Sequence, residues 1–164
     1  MSAQERGACS TRVLVLCTHN SARSQMAEGW IRHHAHQTGL EIEVHSAGTE
    51  RTRVKSEALT VMAEVGIDLG THTSKRLDEI DDPWTFDVVL TVCDDAHEAC
   101  PVYPAATARR HVSFPDPSGA PLGAWRDVRD AIGAMSRAVV DGLGRGAVPP
   151  DDELTGAAAM RVRT

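Results

Sequence analysis

Cys17 and Arg23 stand six residues apart, bracketing Thr18-His19-Asn20-Ser21-Ala22, with Ser24 immediately after. A cysteine is nucleophilic as its thiolate, and an arginine offers a planar fork of donors to an oxyanion. A short loop opening a helix adds backbone N–H groups that point inward as an anion-binding nest. Cys17, the N–H groups of Thr18 to Ser24 and the Arg23 guanidinium would thus surround one tetrahedral anion. Three of its oxygens would be held and the fourth would lie in line with sulfur. The helix N-terminus, Arg23 and the Ser24 hydroxyl favour the thiolate. Displacement at the central atom then needs a proton for the departing oxygen. Asp116, fixed between Pro115 and Pro117, is the candidate acid.

These residues need a strand behind the cysteine and a helix after the arginine. Val13 to Leu16 is an uninterrupted apolar run, as for a strand buried on both faces. Met26, Ala27, Trp30, Ile31, His34 and Ala35 form a stripe at helical spacing over about 21–37, and Gly39 suits the position past its end. Strands follow at 41–45, 86–92 and 111–114, and helices at 58–65 and 124–143, with a brief helical turn around Leu77 and Ile80. Strands alternating with helices predict one α/β domain over 11–146, built on a four-stranded parallel sheet in the order 2-1-3-4. Residues 1–10 and 147–164 lack periodic apolar patterning and read as mobile tails. The run ending at Val92 is followed by Cys93, so a strand ends at a cysteine twice. Parallel strands present their ends along one edge, where ligands bind.

The net charge of −6 argues against nucleic acid or anionic membranes as partners, so a small anion needs a local positive site such as this loop. No apolar run has the length of a membrane span or the form of a signal peptide, which predicts a cytoplasmic protein. In that compartment Cys9, Cys17, Cys93 and Cys100 are catalytic or redox groups before they are cross-links, and their spacing is not that of a zinc site. Cys9, in the first tail, reads as a bystander.

C-T-H-N-S-A-R-S-Q-M-A-E with a distant D-P resembles the low-molecular-weight tyrosine phosphatase fold, and more closely its thioredoxin-coupled arsenate reductase branch. The resemblance runs from about Arg12 to Leu143. It includes H-S-A-G-T (45–49), G-I-D-L-x-x-H-T-S (66–74) and V-V-L-T-V-C-D-D-A-x-x-x-C-P (88–101). Phosphatases of the fold resemble one another in an aromatic residue after the D-P; here Ser118 and Gly119 follow Pro117. The resemblance implies that Cys17 attacks arsenate while Asp116 protonates the leaving hydroxide. Cys93 then attacks Cys17 to release arsenite, and Cys100 attacks Cys93 to leave a disulfide for thioredoxin to reduce. It implies no cofactor. A monomer is expected. A hydrolytic phosphatase and a thiol-based arsenite-binding protein are the rival readings.

Cys93 and Cys100 are seven residues apart, which in a continuous helix is about 10 Å along the axis. A disulfide needs Cα atoms within roughly 7 Å, so a helix over 94–100 must unwind for the two to join. Some relatives hold potassium through an asparagine, a glutamate, a serine and an aspartate. Asn20, Glu28 and Ser46 match three, and Lys75 stands at the fourth. Its ammonium is expected to take the cation's place beside Glu28, so no potassium binding is expected. His19 and Ala22 occupy positions where relatives carry glycine and cysteine, and His19 is expected to face solvent. His33, His34 and His36 face different sides of one helix, an arrangement unsuited to a metal ion. Arg109-Arg110 reads as a solvated pair.

Overall fold

A computed structural model describes residues 11–50, 52–94, 103 and 107–160. The strands are β1 (Thr11–Leu16), β2 (Ile42–Ala47), β3 (Val88–Thr91) and β4 (Ala108–His111), and the helices are α1 (Arg23–Thr38), α2 (Ser56–Glu64), α3 (Leu122–Gly144) and α4 (Asp151–Met160). All pair in parallel in the order β2-β1-β3-β4, as the sequence predicts. The central pair is β1 and β3, the two uninterrupted apolar runs. A 3-10 turn at Leu77–Glu79 matches the brief helical turn.

Alternation along the strands divides the core. Val13, Val15, Val44, Val88, Leu90 and Val92 join Met26, Ile31, Met62, Trp125, Ile132 and Met135 of the helices. On the opposite face Leu14, Leu16, Ala47 and Val89 pack beneath Ile80, Phe86 and Tyr103. α1 packs against α3 with Met26, Ala27 and Ile31 fully buried, and Trp30 Nε1 donates to the Arg129 carbonyl of α3 (3.1 Å). α1 ends at Gly39 with φ of 75°, the left-handed cap expected there.

Two expectations need correction. The fourth strand begins at Ala108, three residues early, over a stretch too polar to announce itself. It is polar because β4 is an edge strand, needing apolar side chains on less of its surface. Residues 151–160, expected as part of a tail, form α4. Leu154 and Ala158 bury against the core, and Arg110, read as solvated, gives Nε to Pro149 O (2.6 Å) and Nη2 to Val148 O (3.1 Å). The tail over 1–10, and the helix expected from Asp94 or Asp95 to Cys100, fall wholly or largely outside the described residues.

Candidate active site

β1 delivers Cys17 to the C-terminal edge of the sheet, where its N–H donates to Ala47 O (3.2 Å) and the residue is 2% exposed. The loop that follows is held by its carbonyls. Thr18 O accepts from Thr49 N (2.9 Å), and Ser21 O accepts from Lys55 N (2.8 Å). His19 O accepts from the hydroxyls of Thr52 (3.0 Å) and Ser74 (3.2 Å), and Asn20 O from Gln25 Nε2 (3.2 Å). Each peptide is trans, so a carbonyl drawn outward turns the next residue's N–H the other way. The N–H groups of His19, Asn20, Ser21 and Ala22 accordingly face the hollow, and none meets a protein acceptor among the described residues. α1 opens there with no side-chain cap and no acidic residue in its first turn, leaving its positive end for an anion.

Asn20 is the hub. It takes the left-handed backbone (φ 49°), which asparagine tolerates better than most residues, and it is fully buried. Its Nδ2 donates to the hydroxyls of Ser24 and Ser46 (2.9 Å each), while Oδ1 accepts from Gln25 Nε2 and Lys75 N (2.9 Å each). Gly48 closes the loop from behind. A Cβ there would lie 2.6 Å from Thr18 O and 2.9 Å from both Asn20 N and Cys17 O, so only glycine fits without moving backbone.

Beneath the loop the chain continues to a buried carboxylate. Ser46 donates to Glu28 Oε1 (2.5 Å), and Arg32 Nη2 donates to Glu28 Oε2 (2.7 Å). Arg32 Nη1 meets His72 Nε2 at 3.0 Å. A guanidinium only donates, so Nε2 accepts and the proton sits on Nδ1, which donates to Gln25 Oε1 (3.0 Å). His72 is therefore neutral. Burial, with Arg32 and Lys75 adding to it against Glu28, holds its pKa below the ordinary value. Burial pushes the Glu28 carboxyl up, but Ser46, Arg32 and Lys75, joined by His72 once acid protonates it, outweigh burial and hold the carboxyl down.

This corrects the expectation for Lys75. Its ammonium donates to Thr73 O (3.2 Å), and Arg32 is the direct partner of Glu28. Asn20 Oδ1 and both Glu28 oxygens accept protein donors, and the Ser46 hydroxyl donates to Glu28.

Arg23 is 2% exposed and reaches across to the segment after β4. Its Nη1 donates to Phe114 O (3.0 Å), and Nη2 lies 3.8 Å from Asp116 Oδ2. Asp116 is exposed, and its Oδ1 accepts from Ser118 N (3.0 Å), which steadies the carboxylate in its turn. An open cleft of about 830 Å3 runs past this point, lined by His19, Ser21, Arg53, Lys55, Asp116 and Ser118 among others. His19 is half-exposed, with Nδ1 3.0 Å from Glu50 Oε2.

The register aligns Leu16 with Thr91, and Val92 N donates to Leu16 O (3.1 Å), so the Cys17 and Cys93 strand ends are neighbours. Cys17 is a free thiol and Cys93 is disulfide-bonded, its partner lying outside the described residues. Cys9 and Cys100 also lie outside them. Sequence reasoning missed Gly48, Gln25, Arg32 and the Phe114 carbonyl. The H-S-A-G-T motif carried a signal for Gly48, the S-Q-M-A-E run one for Gln25, and the i,i+4 spacing from Glu28 one for Arg32, whereas the Phe114 carbonyl had none because Arg23 is distant in the chain.

Residues 12–146 match the family model described as low molecular weight phosphotyrosine protein phosphatase. A relative from Staphylococcus epidermidis named arsenate reductase 2 is 41% identical over 120 residues, covering 73% of this chain and 88% of that protein. A solved arsenate reductase in the phosphate-binding state is 30% identical with a TM-score of 0.69, covering 80% of this chain and 97% of that one. A low-molecular-weight protein tyrosine phosphatase from T. tengcongensis is 25% identical with a TM-score of 0.62, covering 93% and 98%. With its sheet order, its loop between β1 and α1, and a family match over most of its length, the chain belongs to the low molecular weight phosphotyrosine protein phosphatase family.

Proposed function

We propose that this protein reduces arsenate to arsenite through a Cys17–Cys93–Cys100 relay regenerated by thioredoxin. The observation that carries the reading is the pairing of β1 with β3, which sets a second cysteine beside the one at the floor of the anion loop. A phosphatase of this fold has no use for that second thiol. The relatives named arsenate reductase support the same reading.

Arsenate enters the hollow with its oxygens on the N–H groups of the loop and on Arg23. The Ser24 oxygen accepts from Asn20, which leaves its own proton to donate toward the anion or the thiolate. Cys17 sulfur bonds to arsenic, and a hydroxide leaves as water with a proton from Asp116. Cys93 thiolate then attacks the Cys17 sulfur. The sulfur–arsenic bond breaks, its electron pair goes to arsenic, and arsenite departs from a Cys17–Cys93 disulfide. Cys100 attacks Cys93, freeing Cys17, and a dithiol reductant of the thioredoxin type reduces the Cys93–Cys100 bond. Because the Glu28 and Asn20 oxygens are already engaged, the cycle is independent of potassium.

Arsenate-dependent NADPH consumption, coupled through thioredoxin and its reductase, tests this. It should occur with the wild-type protein and vanish in Cys17→Ser, Cys93→Ser and Cys100→Ser. Fast hydrolysis of an aryl phosphate that survives Cys93→Ser, without arsenate turnover, would favour the phosphatase instead.

A further inference from the structure

The C-terminal helix lies beyond the residues that match the family model, yet it touches the strand leading to the candidate acid. β4 is an edge strand whose Val112 N–H turns inward to Thr91 O (3.0 Å), so the His111 N–H turns outward. An outward edge group normally meets water or another strand. Here Asp151, the first residue of α4, accepts that N–H through Oδ1 at 3.1 Å. Arg110 grips the carbonyls of Val148 and Pro149 from the same strand. The supporting turn is closely packed, since a Cβ on Gly142 would stand 2.5 Å from Pro149 Cδ. Just past His111 come Phe114, whose carbonyl orients Arg23, and Asp116, beside the same guanidinium.

We propose that Asp151 is a positioning residue: by fixing the outer edge of β4 at His111, it sets the Phe114 carbonyl and Asp116 against Arg23. The inference rests on the proposed reaction for its catalytic readout, but its geometry has a second readout in oxyanion affinity.

The test compares Asp151→Ala, Asp151→Asn and Asp152→Ala in the full chain. Asp152 shares the first turn and the charge of Asp151, but its carboxylate accepts only from Glu153 N among the described residues. Asp151→Ala should lower kcat for arsenate, and weaken inorganic phosphate binding by calorimetry, about three- to tenfold each, as a small misplacement of the site requires. Asp151→Asn keeps the accepting oxygen and should restore both. Asp152→Ala should change neither. Asp151→Ala matching Asp152→Ala in both measurements, or Asp151→Asn as impaired as Asp151→Ala, would overturn the proposal. If the wild-type protein fails to turn over arsenate, the reaction falls, and phosphate affinity alone decides the role of Asp151.

Discussion

Arg23 and Asp116 show how one residue's position is set by groups far along the chain. The Arg23 fork is oriented by Phe114 O and Asp116, leaving a cation aimed by backbone rather than by solvent. A lysine cannot span both partners. Arg23→Lys should therefore lower kcat/KM for arsenate by about 10²-fold, the scale for losing one well-placed oxyanion donor; steady-state kinetics near the wild-type value would count against the role given to the fork. Gly48 is a sharper steric case. Gly48→Ala forces a methyl onto Thr18 O and Asn20 N, and a displaced loop should cost about 10²-fold in turnover. Phosphate affinity measured beside turnover shows whether the loop itself moved. For potassium, the occupied Glu28 and Asn20 oxygens predict the same rate in sodium and potassium buffers. A several-fold gain in potassium would refute that.

Among the elements, those with buried apolar runs or stripes were legible in the chain. β1 and β3 are continuous apolar stretches because both faces are covered, and α3 shows one clear stripe ending in glycine. The loop between β1 and α1 was legible as a thiol, an arginine and a helix start. The hub role of Asn20 was only half legible: a bracing asparagine could be expected, but not its partners Ser46 and Lys75, which the fold brings in from β2 and from the loop after α2. α4 escaped notice because Leu154 and Ala158 are, among its described side chains, the only buried apolar ones in a stretch otherwise mostly acidic, small or exposed. β4 was misplaced because Arg109 and Arg110 hide a strand that needs little apolar surface. Leu154 gives the docked helix a measurable weight. Leu154→Ala should destabilise the fold by about 2–5 kcal/mol in urea titration, the range for a fully buried leucine. A loss under about 0.5 kcal/mol would mean α4 is not held.

Across the whole molecule, stability should depend on pH through two partly buried histidines and the carboxylate under the loop. His72 has an ordinary value of 6.5 and is held below it, and His34 is likewise held down, chiefly by burial. As pH falls through 6.5 the unfolded chain takes up protons that the native chain refuses, so stability declines until the native histidines also protonate. Glu28 adds a second decline, beginning near its ordinary 4.5 and continuing as pH falls through its lower native value. Melting temperature should therefore drop on going from about pH 7.5 to 5.5, and His72→Gln should flatten part of that drop. An unchanged slope in the variant would remove His72 as a cause. The network couples the acid-sensitive core to the loop, since His72 bonds Gln25 and Gln25 bonds Asn20. The central claim, that a second thiol turns an anion-binding nucleophile into a reductant, can be tested in one turnover. Reduced Cys100→Ser protein mixed with arsenate and no other thiol should release one arsenite per chain. Peptide mapping should then find a Cys17–Cys93 disulfide. Arsenite release without that bond, or no release, would contradict the account.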